Sequence, residues 1–420
     1  MVLLILRSAV DIFSAQQIPA IFAVSIDLLT LAYVAVSILT GQRVYTSRFL
    51  WLFAGWVAFQ GLWVILLPLG GLGLGASHFS ISLREWVRLF SWLMVYLLIM
   101  QLKDRLHPAQ IVTALFCSTV LPLLAAALQM VLPASALPAF LAHRGNAFTD
   151  LENASRINGT LGHPNAFVTF LILFLALSYW QATSRKQQWP WYALMGVLTF
   201  FIVGTKALVG LVMLVVLIVM LIAPKLTLSK LLGSTVLIGL ALIAFGSTEF
   251  GRERLSLFVD MPFFNADLDV SRAILLRQTS INSFYWRLEQ WTFLLKAWQQ
   301  HPWLGYGFDS PRYLTHFGSA AHNDYIRSLV EGGIVGFIAF ITFIGAHAVR
   351  LFRIFVSQLS TVPQRNLAWT LLSVLIAMTV GMLTENIWSH TALFFYWLSL
   401  TAVVSFDWRS KSELHESFVE

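Results

Sequence analysis

The run IPAIFAVSIDLLTLAYVAVSILT, Ile18 to Thr40, holds one charged side chain, Asp27, and otherwise reads as unbroken apolar and small residues. A helix rises about 1.5 Å per residue, so a run of this length crosses the ~30 Å hydrocarbon core of a bilayer. Runs of the same kind recur near 49–69, 83–102, 109–131, 166–182, 190–205, 207–223, 231–247, 334–349, 367–384 and 391–406. Strands of a membrane barrel would alternate over about ten residues, and these runs are long and continuous. The sequence therefore predicts an all-α, polytopic helical membrane protein of about 11–12 spans. Residues 1–13 fit either a short extra span or an interfacial helix. Asp27 falls near the middle of its span, where an acid is a functional candidate or the partner of a neighbouring helix.

The bulk composition agrees. The chain has 420 residues, 58% hydrophobic and 11% charged, whereas a soluble domain carries about 25% charge. In such a protein the net charge of +7 points to basic loops that set orientation, not to nucleic acid. The single cysteine, Cys117, lies inside an apolar run and excludes an intramolecular disulfide. Met1 to Leu6 is too short for the apolar core of a cleavable signal peptide, and Arg7 and Asp11 follow it.

Basic residues sort the loops. Arg43 and Arg48, Lys103 and Arg105, Arg185 and Lys186, Lys225 and Lys230, and Arg350, Arg353 and Arg365 alternate with the spans and mark the cytoplasmic side. The opposite side then holds a loop from about 133 to 165 and a longer one from about 246 to 333. This divides the chain into membrane helices over 1–245, a long external loop over 246–333, and C-terminal helices with a short tail over 334–420. In the long loop, SFYWRLEQWTFLLKAWQQHP (Ser283 to Pro302) repeats Phe284, Leu288, Trp291, Leu295 and Trp298 at helical spacing. PWLGYG follows as a glycine-punctuated turn. AAHNDYIRSLVEGG (Ala320 to Gly333) then reads as a short external helix that ends at Gly332–Gly333.

The external side is rich in arginine where the positive-inside rule expects few cations. Arg144, Arg156, Arg287, Arg312 and Arg327 lie there, and Arg84 and Arg88 open the third long span from that side. Lys206 and Lys296 are the only lysines placed with them. A guanidinium grips phosphate at two points, which an ammonium does not. The ordinary alternative for each arginine is a salt bridge with a nearby acid. Together they favour an anionic ligand near the outer leaflet.

His322 sits in the most polar part of this region, and an imidazole can exchange a proton at neutral pH. Asn323, Arg327 and Glu331 share one helix stripe. Asn323 offers donors to a sugar or phosphate, and Arg327 and Glu331 most simply pair with each other. Asp267-Leu268-Asp269 is a weak two-aspartate pattern for a metal-bound nucleotide sugar. The sequons Asn153-Ala154-Ser155 and Asn158-Gly159-Thr160 are common by chance. No histidine or cysteine metal cluster, P-loop or serine nucleophile elbow occurs. No cofactor is expected.

Three stretches resemble the shared domain of the O-antigen ligases and polysaccharide polymerases. The first runs from Trp286 to Gly336, with WRLEQW, HPWLGYGFDS and AAHNDYIRSLVEGGIVG. The second is RINGTLGHPNAF (Arg156 to Phe167), similar to that family's Gly-…-Pro-Asn element at the start of a span. The third is GTKALVGL (Gly204 to Leu211), similar to its external hairpin, with Lys206 where a Ser-Arg pair is frequent. The resemblance implies a metal-independent, inverting glycosyltransferase of the membrane-embedded C type in the bacterial inner membrane, with its site on the periplasmic face. It implies a glycan on undecaprenyl diphosphate as donor, and lipid A-core or another lipid-linked glycan as acceptor. The family's catalytic histidine carries over to His322, and its conserved arginine in the preceding helix to Arg287. Arg156, Lys206, Asn323, Arg84 and Arg88 are then expected to hold substrate or diphosphate. A polymerase and a ligase share this domain and differ in acceptor; a protein acceptor is a third case. A lipid flippase without chemistry would need charges deep in several spans and inverted repeats. The charges here gather at one external mouth instead.

Overall fold

The computed structural model describes residues 1–16, 18–69, 76–138, 140–141, 156–225, 283–406 and 408, with the isolated residues 243, 247 and 252. The expected span near 231–247 falls almost wholly outside them, as do Arg144, the Asn153–Ser155 sequon and Asp267–Asp269. The described residues are helical, with no strand among them. The first part of the chain gives α1 (Val2–Val10), α2 (Ile18–Leu39), α3 (Arg48–Leu69), α4 (Ala76–Met100), α5 (Pro108–Cys117) and α6 (Val120–Val131). The middle gives α7 (Pro164–Ser184), α8 (Trp189–Gly204), α9 (Leu208–Ile222) and α10 (Ser283–Trp298). The last part gives α11 (Pro311–Leu314), α12 (Asp324–Val356), α13 (Val362–Gly381) and α14 (Thr391–Val403). Among the described residues, five helices are long and apolar enough to cross a membrane, and α8, α9 and α14 are shorter apolar helices. The chain is an all-α polytopic membrane protein.

Apolar side chains surround α7 on all faces, and nearly every one is buried. That pattern places it in the bundle centre with α14, α13 and α9 packed around it. By contrast α2 leaves Ile21, Leu28 and Leu31 uncovered, the surface a lipid-facing helix presents. Lipid tails are as apolar as leucine, so packing and hydrogen bonds hold such helices together. Here tryptophan indoles donate across helices to backbone carbonyls: Trp86 to Val57 at 2.9 Å, Trp180 to Pro363 at 3.0 Å and Trp369 to Met220 at 2.9 Å.

Residues 1–13 form the short helix α1 and a 3-10 turn, fastened to the bundle. The Ser8 N–H donates to Tyr396 Oη at 3.0 Å, and its hydroxyl to the Ser118 carbonyl at 2.7 Å. The expected span 109–131 is broken at Ser118–Thr119, where both hydroxyls donate back to carbonyls of the preceding turn. Asp27 is buried against α4, where it accepts the Ser91 hydroxyl at 2.6 Å.

The expected short helix forms the first part of α12 and ends, as expected, at a break at Gly333 (φ 63, ψ −164), beyond which the second part of α12 begins. A break leaves the last carbonyls of one helix and the first N–H groups of the next unpaired. The PWLGYG turn satisfies both sets. Tyr306 and Gly307 donate to Val330 and Glu331 carbonyls at 2.9 and 2.8 Å. Ile334 and Val335 donate to Pro302 and Trp303 carbonyls at 2.8 and 3.2 Å. So close an approach leaves no room for a side chain: a Cβ on Gly333 would overlap the Trp303 carbonyl group, and one on Gly305 the Val330 oxygen. Gly333→Ala therefore combines a left-handed backbone with a backbone overlap. It is expected to cost at least ~2 kcal/mol, read as a lower midpoint of thermal unfolding in detergent. An unchanged midpoint would mean that the turn does not clamp the break.

Candidate active site

The segment before α12, the start of α7 and the helix α10 meet at Glu385, which lies in the short connection between α13 and α14. The Glu385 Oε1 atom lies 3.1 Å from His322 Nδ1 and accepts the Asn386 N–H at 3.0 Å. Its Oε2 accepts from the Asn165 amide at the start of α7, and lies 3.9 Å from Arg287 Nη2 on α10. A carboxylate only accepts, so the 3.1 Å contact fixes the hydrogen on His322 Nδ1 and leaves the lone pair on Nε2. Among the described residues Nε2 has no hydrogen-bond partner, and the ring lines a cavity of about 820 Å³. Burial pushes the Glu385 carboxyl up, but the His322 contact and the Arg287 charge outweigh it and hold the group well below the usual carboxylate range.

The backbone fixes the imidazole as firmly as its side chain does. His322 sits in the left-handed region at φ 50, which a non-glycine residue adopts only where its surroundings impose it. Here the His322 N–H donates to Asn386 Oδ1 at 2.8 Å, and the Asp324 N–H to the Met382 carbonyl at 2.9 Å. In return Trp388 donates its N–H to Asp324 Oδ2 at 2.8 Å. The Trp286 ring meets the His322 ring edge to face at 5.1 Å.

The structure sorts the residues picked out in the sequence. His322, Arg84 and Arg88 line the cavity together. Arg84 has no ion pair among the described residues, and Arg88 pairs with Glu85 at 2.7 Å while its Nε is buried without a partner. Arg287 and Arg156 stand behind Glu385 and do not line the cavity. Arg287 donates to the Thr384 carbonyl at 3.1 Å. Arg156 donates to Asn165 Oδ1 and to the Thr205 carbonyl, each at 2.9 Å. Lys206 lies in the hairpin that supplies the Thr205 carbonyl, with φ 52, and also stays outside the cavity lining. Asn323 caps α12: its Oδ1 accepts the Tyr325 and Ile326 N–H groups at 3.0 Å, and its Nδ2 donates to the Leu383 carbonyl at 2.9 Å. Both ends of that amide are engaged by the protein.

Arg327 pairs with Glu331, as its spacing predicts, at 2.7 Å. It also reaches Glu85 at 2.9 Å and Ser389 Oγ at 2.6 Å. One guanidinium thereby ties α12 to α4 and to the loop that carries Glu385. Arg327→Ala leaves the buried Glu331 carboxylate without its cation and Glu85 with Arg88 alone, and is expected to cost about 3–5 kcal/mol. The check is the thermal midpoint in detergent, where a shift no larger than that of an exposed arginine would refute the tie.

Glu385 is the site residue that the sequence reading missed. It lies in TENIWSH (Thr384 to His390), where an acid, an asparagine and a histidine crowd a connection of a few residues between two apolar runs. That density is the available signal. Only the contact with His322, 63 positions away along the chain, gives it meaning.

Residues 161–341 match the family model described as O-antigen ligase. No curated protein matches the chain. The matched segment contains Asn165, Arg287 and His322, and stops short of Glu385.

Proposed function

We propose that this chain, placed by residues 161–341 in the O-antigen ligase superfamily, moves a glycan from undecaprenyl diphosphate to an acceptor hydroxyl on the periplasmic face of the bacterial inner membrane. The acceptor in this reading is the lipid A-core. The observation that carries it is an imidazole held by a buried carboxylate at 3.1 Å, with its lone pair free at a cavity that also holds Arg84 and Arg88.

The acceptor hydroxyl attacks the anomeric carbon of the donor sugar as the carbon–oxygen bond to the diphosphate breaks. His322 Nε2 takes the hydroxyl proton, and the diphosphate leaves with the bonding pair. Its developing charge meets the arginines of the cavity, which need no metal to stabilise it. The imidazolium that forms is stabilised by the Glu385 carboxylate on its other nitrogen. A single displacement opposite the leaving group inverts the anomeric centre. Arg287 acts through Glu385 in this scheme, as a positioning residue. The apolar side of the cavity, with Ala20, Ala23 and Ile26 of α2, suits the polyprenyl chain of the donor.

The test uses the purified protein, a lipid-diphosphate-linked oligosaccharide, EDTA, and two acceptors: lipid A-core and a second copy of the donor. Transfer to lipid A-core supports the ligase. Laddering on the donor makes the chain a polymerase of the same superfamily. No transfer, with donor crossing a reconstituted bilayer, replaces the enzyme with a flippase.

A further inference from the structure

His390 is an imidazole that the chemistry above leaves unused. It stands at the entrance to α14 and lines the same cavity as His322. Its Nδ1 lies 3.0 Å from Thr169 Oγ1. The Thr169 hydroxyl proton is already committed, because it donates to the Ala166 carbonyl at 3.0 Å. The threonine oxygen therefore accepts, and His390 Nδ1 carries the hydrogen. Burial pushes this imidazole down to about 4, against the pull of Glu385. The ring is thus neutral at ordinary pH, with its lone pair on Nε2. Among the described residues that atom has no hydrogen-bond partner, and it is not among the polar atoms buried without one.

His322 and His390 are thus the same tautomer, each fixed through Nδ1 and each with Nε2 free at one cavity. Their partners differ. His322 is bonded directly to the Glu385 carboxylate. His390 is bonded to a neutral threonine, and desolvation disfavours a positive charge on its ring. An imidazole kept neutral by its surroundings retains the Nε2 lone pair for accepting a hydrogen bond. A sugar presents several hydroxyls, and each one that enters a water-excluding site needs a partner. A site built to bond a particular hydroxyl rejects an analogue that lacks it.

We propose that His390 reads the acceptor: its Nε2 accepts a hydrogen bond from a second hydroxyl of the acceptor sugar and so selects which hydroxyl reaches His322. This inference rests on the proposed glycosyl transfer.

The experiment compares the unaltered protein with His390→Ala and His390→Gln. It uses the lipid-diphosphate-linked donor and whichever of the two acceptors is glycosylated, together with analogues that lack one hydroxyl of the terminal sugar. In the unaltered protein one deoxy analogue is expected to lose roughly tenfold in kcat/KM, the worth of one neutral hydrogen bond. In His390→Ala that penalty disappears, the KM for the full acceptor rises roughly tenfold, and the KM for donor stays unchanged. His390→Gln keeps an acceptor oxygen near the same place and retains part of the discrimination; it serves if the alanine variant does not insert. A deoxy penalty that survives both substitutions overturns the inference, as does a fall in kcat with no change in the KM for acceptor. If the unaltered protein glycosylates neither acceptor, the proposed function fails and this inference with it. If His322→Ala retains activity while His390→Ala still loses the discrimination, only the base assignment falls.

Discussion

His322→Ala is expected to lower glycan transfer by roughly 10³-fold, the scale of a lost general base, while the protein stays folded and still binds donor. The imidazole makes one side-chain hydrogen bond to the protein, at 3.1 Å to Glu385, and its other nitrogen faces the cavity. Removing it therefore takes away the proton acceptor without dismantling a packed core. The His322 N–H bond to Asn386 is a backbone contact and survives the change. The measurement is single-turnover transfer by the purified variant, with donor binding as the control. Full activity would remove His322 from the chemistry. Loss of donor binding alongside transfer would assign it to substrate binding instead.

Glu385→Gln is expected to cost roughly 10²–10⁴-fold in kcat, although the side chains are nearly the same size. A glutamine amide can donate to Nδ1, which moves the imidazole hydrogen to Nε2 and removes the lone pair that accepts the hydroxyl proton. A glutamine also cannot stabilise the imidazolium that forms. The KM for donor is expected to change little, because the arginines that line the cavity remain. A fall in donor affinity without a fall in kcat would assign Glu385 to substrate binding. The substitution changes acid stability as well. Burial raises the Glu385 carboxyl, yet its cationic neighbours leave the net value well below normal. A depressed carboxylate contributes stability that is complete above its unfolded value of about 4.3 and is lost as pH falls through the lower folded value. The variant should therefore be less stable than the unaltered protein above about pH 4.3, and that deficit should shrink on acidification below it. A constant difference across that range would mean that the carboxylate is not linked to folding.

Local pattern carried most of the architecture. A membrane span is decided by the composition of about 20 consecutive residues, so the helices at Ile18–Leu39, Pro164–Ser184 and Val362–Gly381 were legible in the sequence. The pairing of Arg327 with Glu331 was legible for the same reason, because four-residue spacing puts both on one helix face. The polar segment around His322 stood out against the apolar runs that flank it. The break at Gly333 was visible as a helix end, but the continuation of α12 beyond it depends on the PWLGYG turn, whose carbonyls and N–H groups cap both sides.

The sequence by itself determined that the chain is a helical membrane protein and that His322 stands in a polar segment beside apolar runs. Tertiary structure decided what that histidine touches. Glu385 comes from the connection between α13 and α14, and Asn165 with Arg156 from the start of α7 and the stretch just before it; no spacing rule joins either segment to His322. It also decided which arginines reach the cavity. Arg84 and Arg88 project into it from α4, while Arg287 is turned aside by the Thr384 carbonyl and Asn323 is spent as a helix cap. A side chain's type fixes the bonds it can make. Which of those bonds it makes depends on the partners that the folded chain brings within 3 Å or so, and many of those lie far away along the chain.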